Sequence, residues 1–399
     1  MLINRKKFLQ LGSLAAGTAM LPKFLKAFET PKITSGGNKV LVVVQFSGGN
    51  DGLNTVIPIR NDIYYRERPG LAIAKDKTIA LNTETGLHPA LTNLKTLFDE
   101  GHLAILNGVG YPNPDRSHFR SMDIWQTAGN SDEYLNTGWL GRYLDAQCSG
   151  CSRPTQVLEM DDTLSLALSG EQMKGIAFRD PKRLYETSQD PFFKEILHAG
   201  LLEKPDDPSS YLYKVMSETI SGAEYIFQQS KLRPSNTMYP DTELGKNLKT
   251  IASLISSDIN TRVYYVSLGS FDTHAGQQPK QEKLFKELND AIKPFTDDLK
   301  LNHRFDEVLI MSFSEFGRRV GENGSGGTDH GTANNMFLIG GGLKNKGILN
   351  AMPDLSNLTD GDLNQQIDFK RVYATILKKW LQSDDYKILG KQYEYLNFI

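Results

Sequence analysis

Cysteine is almost missing from this chain of 399 residues: Cys148 and Cys151 are all it has. Two thiols cannot build a disulfide framework, and no further cysteine is there to complete a thiolate metal site. Their Cys-Ser-Gly-Cys spacing falls in a Gly/Ser/Pro-rich stretch, not at the opening of a helix after a strand. That excludes a thioredoxin-like reading and favours a local disulfide. Net charge is nearly missing as well. Lys and Arg number 45 against 47 Asp and Glu, a formal charge of -2. No strong field therefore draws the chain to nucleic acid or to an anionic membrane. The N-terminal apolar stretch, Leu11 to Leu21, is shorter than the ~20 residues of a transmembrane helix. No internal repeat or low-complexity segment is visible.

What is present is the composition of a soluble globular protein, 39% hydrophobic and 23% charged. The length suits one large domain or two ordinary ones. Asn4 to Gln10 is basic and Leu11 to Leu21 is apolar and rich in small residues, the n-region and h-region of an export signal. Arg5-Lys6-Lys7-Phe8-Leu9 resembles a twin-arginine signal with Lys6 in the second arginine position. Lys23, Lys26 and Phe28 stand where a small-residue cleavage site is expected, so the segment is either removed or kept as an anchor. Residues 1–38 are thus read as export signal and linker. The rest is expected outside the cytoplasm: periplasmic, on the cell surface or secreted.

Residues 39–399 read as an α/β domain. Lys39 to Phe46 (KVLVVVQF) is a continuous β-branched run, the mark of a central parallel strand. Leu103 to Leu106, Thr163 to Leu168, Arg262 to Leu268, Asp306 to Phe313 and Met336 to Ile339 read as further strands. Phe119–Ala128, Ser210–Gln229, Thr242–Ser256, Pro279–Leu299 and Ile367–Leu381 carry helical periodicity. The alternation predicts a three-layer sandwich with a mostly parallel central sheet. The proline-broken stretch at about 150–210 reads as an insertion or cap.

The chemistry-bearing residues all follow strands, where open α/β sheets bind ligands. Asp51 follows the first strand in Ser47-Gly48-Gly49-Asn50-Asp51-Gly52, which is also a plain Asn-Asp-Gly turn. Ser117 opens a helix among Arg116, His118 and Arg120. There it is an N-cap, or a nucleophile favoured by the helix end, with arginines suited to an oxyanion. Asp272 and His274, two apart in an extended segment, point the same way and suit zinc, manganese or iron better than calcium. Read locally they are a helix cap and a surface histidine. Glu315 and Arg318 end another strand, and a glycine-rich loop leads to Asp329 and His330.

SGGNDGLNTVIP, DRSHF, FDTH, SEFGR, ENGSGGTDHG, the Gly-Gly-Gly after a strand and DFKRVYATILKKWL together resemble the domain-of-unknown-function 1501 family. That family is grouped with the alkaline phosphatase and sulfatase superfamily. The resemblance implies an alkaline-phosphatase-like fold with one or two metal ions above the sheet. It implies Asp51 as the first metal ligand, Ser117 as nucleophile, Asp272 and His274 as later ligands, and His330 as the last, with Asp329 an extra carboxylate. The superfamily's Asp-His pair at a strand end falls on Glu315 and Phe316, and phenylalanine cannot ligate. The sulfatase pattern of Cys or Ser followed by x-Pro-x-Arg is absent around Ser117.

These readings converge on an exported metal-dependent hydrolase of phosphate or, less favoured, sulfate esters. Its metal is zinc or manganese, with magnesium or calcium as alternatives. Its substrate is a small or polymeric ester, with no nucleic-acid partner and no membrane span unless the signal is uncleaved. Arg116 or Arg318 would hold the ester oxygens. The alternative is a non-catalytic exported binding or assembly protein that keeps a degenerate metal site. A third reading is a polysaccharide binder using the aromatic segment Met122 to Trp139.

Overall fold

The structure, a computed structural model, describes residues 39–147, 155–193, 195 and 208–399. The export-signal segment and the Cys148–Cys151 pair lie outside the described residues. The strands in chain order are β1 (Val40–Phe46), β2 (Val56–Pro58), β3 (Ile79–Ala80), β4 (Thr85–Leu87), β5 (Leu103–Gly110), β6 (Val157–Glu159) and β7 (Ile176–Ala177). They continue with β8 (Val263–Leu268), β9 (Val308–Phe313), β10 (Asn334–Ile339), β11 (Gly347–Ile348), β12 (Leu358–Thr359), β13 (Asp362–Leu363) and β14 (Ile367–Asp368). The α-helices are α1 (Asp62–Glu67), α2 (Thr92–Asp99), α3 (His118–Thr127), α4 (Trp139–Gln147), α5 (Pro181–Ser188), α6 (Pro208–Leu232), α7 (Glu243–Ser256), α8 (Gln277–Leu301), α9 (Phe369–Thr375) and α10 (Asp385–Leu389).

A nine-stranded sheet runs in the order β11-β5-β10-β9-β1-β8-β6-β7, with β14 also paired to β5. Its pairs are parallel except those of β10, which runs antiparallel to β5 and β9. The β-branched run of β1 explains its central place. Every residue of β1 is buried, because alternate side chains enter the cores on opposite faces. Val40, Val42, Val44 and Phe46 pack with α2, α7 and α8, while Leu41 and Val43 pack with α3, α4 and α9. Each buried valine contributes about 1.5–3 kcal/mol. The result is a three-layer α/β sandwich with a mostly parallel sheet, as the alternation of strands and helices predicts.

Three local expectations are refined. The stretch read as an insertion or cap supplies the edge strands β6 and β7, so its described residues extend the sheet. Thr163 to Leu168 is not a strand. The Glu159 carboxylate accepts the Ser165 N–H at 2.7 Å, and the chain closes into a 3-10 turn at Leu166–Leu168. The helix expected over 367–381 is α9 followed by a π-turn at Ile376–Trp380. Among the described residues no helix is long and apolar enough to cross a membrane.

Candidate metal centre at one rim of the sheet

The parallel strands β1, β5, β8 and β9 end at one rim, and antiparallel β10 begins there. The segments leaving β5, β8 and β9, and the one entering β10, carry His118, Asp272 with His274, Glu315 with Arg318, and Asp329 with His330. After β1 the chain turns through Gly48 (φ +119) and Gly49 (φ +78). A Cβ on Gly48 would lie 2.4 Å from the Asp272 N, and one on Gly49 would lie 2.2 Å from the Phe316 ring. The two glycines therefore let the β1 turn pass directly beneath the site.

Asp272 is the hub. Its Oδ1 accepts from Arg318 Nη2 at 2.7 Å and lies 3.1 Å from His274 Nε2 and 3.3 Å from His330 Nε2. Its Oδ2 lies 3.6 Å from His118 Nε2. Each imidazole is held from behind through its other nitrogen. His118 Nδ1 is 3.1 Å from Glu315 Oε1, His274 Nδ1 is 3.3 Å from Asp329 Oδ1, and His330 Nδ1 is 2.8 Å from the Arg116 carbonyl. These partners only accept, so a neutral ring carries its proton on Nδ1 and turns the bare Nε2 lone pair toward Asp272. The His274 and His330 Nε2 atoms then face one another at 2.9 Å. Two lone pairs and a carboxylate at that spacing repel unless a proton or a cation lies among them. Imidazoles tethered at Nδ1 by carboxylate or carbonyl are also how metal-binding histidines are oriented.

The charges agree. Burial opposes ionisation of Asp272, but the hydrogen bond and charge of Arg318, joined by the His330 and His274 rings when they are protonated, outweigh it and bring the carboxyl down to about 2. The Glu315 hydrogen bond raises the His118 pKa, whereas burial lowers that of His330. Asp272, Glu315 and Asp329 against Arg318 leave an excess of negative charge when the rings are neutral. Phe316, 1% exposed, forms the floor, with ring centroids 4.9 Å from His118 and 4.5 Å from His330. His118, Asp272 and His330 offer ligand atoms within 4.8 Å of one another. Two imidazoles and a carboxylate are a donor set that could hold a divalent metal ion.

Several residues do other work than the sequence suggests. Asp51 does not join the cluster. Its carboxylate, fully buried, pairs with Arg68 at 2.6 Å, accepts from Gln277 and caps the turn at Leu53. Arg318 is fully buried and donates to the carbonyls of Gly49, Thr328, Gly48 and Phe271 besides Asp272, so its head is turned into the framework and is not open to an ester oxygen. Glu315 and Asp329 stand behind the histidines. Glu315 also accepts from the Gly48 N–H at 2.7 Å, and Asp329 from Asn323 at 3.1 Å. Ser117 occupies the N-cap position of α3 and is exposed, and its side chain makes no capping bond. It sits between Arg116, whose carbonyl holds His330, and His118. Arg116 is 40% exposed at its side chain and pairs with Asp362. The aromatic segment 122–139 is no open platform, because Trp125 and Trp139 are buried and only Tyr134 of its rings is exposed.

His118, Arg68, Arg319 and Asp362 were not singled out by sequence reasoning as site residues. For His118 a signal exists: it follows a helix-opening serine after a strand, like the other candidates. For Arg68 and Asp362 the sequence holds none.

A family model described as "Protein of unknown function (DUF1501)" matches residues 107–393. No curated protein matches the chain. Among solved structures, the chain is similar to a phosphonate monoester hydrolase from Silicibacter pomeroyi, at 9% identity and a TM-score of 0.41, covering 89% of this chain and 77% of that one. It is also similar to the C-terminal periplasmic domain of EcEptC from Escherichia coli, at 11% identity and a TM-score of 0.38, covering 91% and 89%. PsFucS1 sulfatase from Pseudoalteromonas sp. is similar at 12% identity and a TM-score of 0.37, covering 98% and 72%. All three likenesses are distant.

Proposed function

The chain belongs to the DUF1501 family, and from that premise and the geometry of the rim we propose a metal-dependent hydrolase of phosphate or related esters that works outside the cytoplasm. The observation that carries the reading is the convergence of three Nδ1-tethered imidazoles on Asp272. His118, Asp272 and His330 would hold the ion, with His274 beside them. A bound divalent ion would polarise the ester and lower the pKa of a hydroxyl beside it toward neutrality.

The residues of the chain itself supply the rest. Ser117 is the nucleophile: its hydroxyl is exposed and free of the capping bond, and the first turn of α3 favours negative charge beside it. Glu315 and Asp329 fix the tautomers of His118 and His274, and the Arg116 carbonyl fixes that of His330. Arg318 orients Asp272 and balances part of its charge. Phe316 keeps water from the floor of the site. The basic and apolar N-terminal segment supports export.

The test is elemental analysis joined to turnover. Wild-type protein is expected to carry a divalent metal, Asp272→Ala and His330→Ala to lose it, and Ser117→Ala to keep it. Aryl phosphates, phosphodiesters and aryl sulfates are the panel, and turnover should vanish with chelation and in Ser117→Ala. A metal-free wild type overturns the reading. One observation favours a second reading, a binding or assembly protein: Asp51, a ligand position in the resemblance, is neutralised by buried Arg68. Silence across the panel with metal in place would decide for it.

A further inference from the structure

Arg319 follows Arg318 in sequence but shares none of its contacts. Its backbone is fixed, with its N–H on the Asp329 carbonyl at 3.0 Å and its own carbonyl taken by Arg68 at 2.8 Å. Its guanidinium is 39% exposed and, among the described residues, donates no hydrogen bond. Opposite it stands Asp362, delivered by the two-residue hairpin β12–β13. The turn residues Asp360 (φ 54) and Gly361 (φ +83) both take positive φ, which a tight Asp-Gly hairpin turn requires. The Thr332 hydroxyl donates to the Leu363 carbonyl and ties the hairpin to the segment entering β10.

Asp362 is 1% exposed. Its Oδ2 accepts from Arg116, while Arg319 Nε lies 3.7 Å from Oδ1, too far for a hydrogen bond. Oδ1 is buried with no hydrogen-bond partner. One buried carboxylate thus holds two half-exposed guanidiniums side by side and leaves a positive charge over. Both adjoin the metal cluster through main chain, Arg116 by its carbonyl on His330 and Arg319 by its N–H on Asp329. Of the nearby carboxylates, Asp115 accepts the Ser117 N–H at 2.7 Å and Asp329 is held by His274 and Asn323, while Asp360 in the hairpin turn is exposed and acts on Asp362 through its charge. Guanidinium forks with free N–H groups are matched to tetrahedral oxyanions.

We propose that Arg319 and Arg116, aligned by Asp362, form an oxyanion subsite beside the cluster that takes a second anionic group of the substrate, a phosphate or a sulfate. This rests on the hydrolase reading and narrows its substrates to esters bearing a further tetrahedral oxyanion. Arg319 is the principal binding residue, because its head has no other hydrogen bond. Asp362 is a positioning residue.

The test needs neither metal nor turnover. The full chain, stripped by chelation and dialysed, is titrated calorimetrically with inorganic phosphate and, separately, inorganic sulfate at one low ionic strength. Saturable binding is expected, about tenfold weaker in Arg319→Ala and intermediate in Arg319→Lys. The stronger of the two anions names the group. The unfolding temperature of Arg319→Ala should match wild type, so that lost binding is not lost fold. Wild type that binds neither anion, or binding that survives Arg319→Ala, overturns the subsite. Binding lost in His330→Ala but kept in Arg319→Ala places the anion at the cluster and overturns it equally. A hydrolase reading that failed through absent metal or absent turnover would leave this titration unchanged, so the two failures are separable.

Discussion

Arg318 donates to four backbone carbonyls that three separate segments bring to it, the β1 turn, the end of the β8 segment and the glycine-rich loop. Removing it would leave those buried carbonyls unpaired, and each buried polar group so orphaned costs about 1–3 kcal/mol. Arg318→Ala is therefore expected to lose more than about 4 kcal/mol in urea unfolding, or not to fold. Arg319→Ala, with no hydrogen bond to lose, should change stability by less than about 0.5 kcal/mol. Comparable losses in the two variants would sink the distinction between framework arginine and ligand arginine. Nothing in Ser-Glu-Phe-Gly-Arg-Arg tells the two apart. The sequence marks both as strand-end cations, and the difference lies in which carbonyls arrive from segments distant in the chain.

At the scale of elements, β6 shows where reading the sequence fails. It is three residues long, too short for a periodicity, whereas Thr163 to Leu168 alternates like a strand and is a turn. The turn is held by Glu159, the last residue of β6, whose carboxylate receives the Ser165 N–H. Burial pushes the Glu159 carboxyl up to about 8, against a part-compensating pull from Ser165. Its folded pKa is thus raised above the unfolded value of about 4.3. Such a group adds stability that is fully present below the unfolded pKa. That stability is lost as pH rises, and the loss is complete once pH passes the folded pKa. Wild type should lose stability between about pH 4.3 and pH 8, by on the order of 5 kcal/mol at most. Glu159→Gln keeps an acceptor for Ser165 and cannot ionise. It should be nearly neutral at pH 4.5 and more stable than wild type at pH 8.5, measured by urea unfolding at both. Parallel pH curves for the two proteins would show that Glu159 is ionised in the fold.

Over the whole molecule, the strongest signals in the sequence were those of burial on both faces: the β-branched run of β1, and β8 and β9 with it, fixed the layers and placed the chemistry after strand ends. The antiparallel sense of β10 was not legible, since Met336 to Ile339 is as apolar as a parallel strand, yet that sense is what brings His330 to the same rim. Asp51 was legible as a strand-end carboxylate but not as the buried half of an ion pair, because Arg68 comes from a helix end with no pattern of its own. Arg68 joins three parts of the molecule. It reaches Asp51 at 2.6 Å, the Val320 carbonyl at 2.7 Å and the Arg319 carbonyl at 2.8 Å, so the β1 turn, the α1 segment and the loop after Arg318 move as one. Taking one partner from a buried pair leaves the other charge unpaired, at about 3–5 kcal/mol. Asp51→Ala is expected to lose that much stability and still bind metal at His118, Asp272 and His330, as followed by urea unfolding and elemental analysis. Adding Arg68→Met should restore part of the loss, because an apolar side chain of similar length removes the stranded charge. If Asp51→Ala instead lost its metal at unchanged stability, Asp51 would be a ligand after all, and Arg68 would be the residue that gives way when the ion binds.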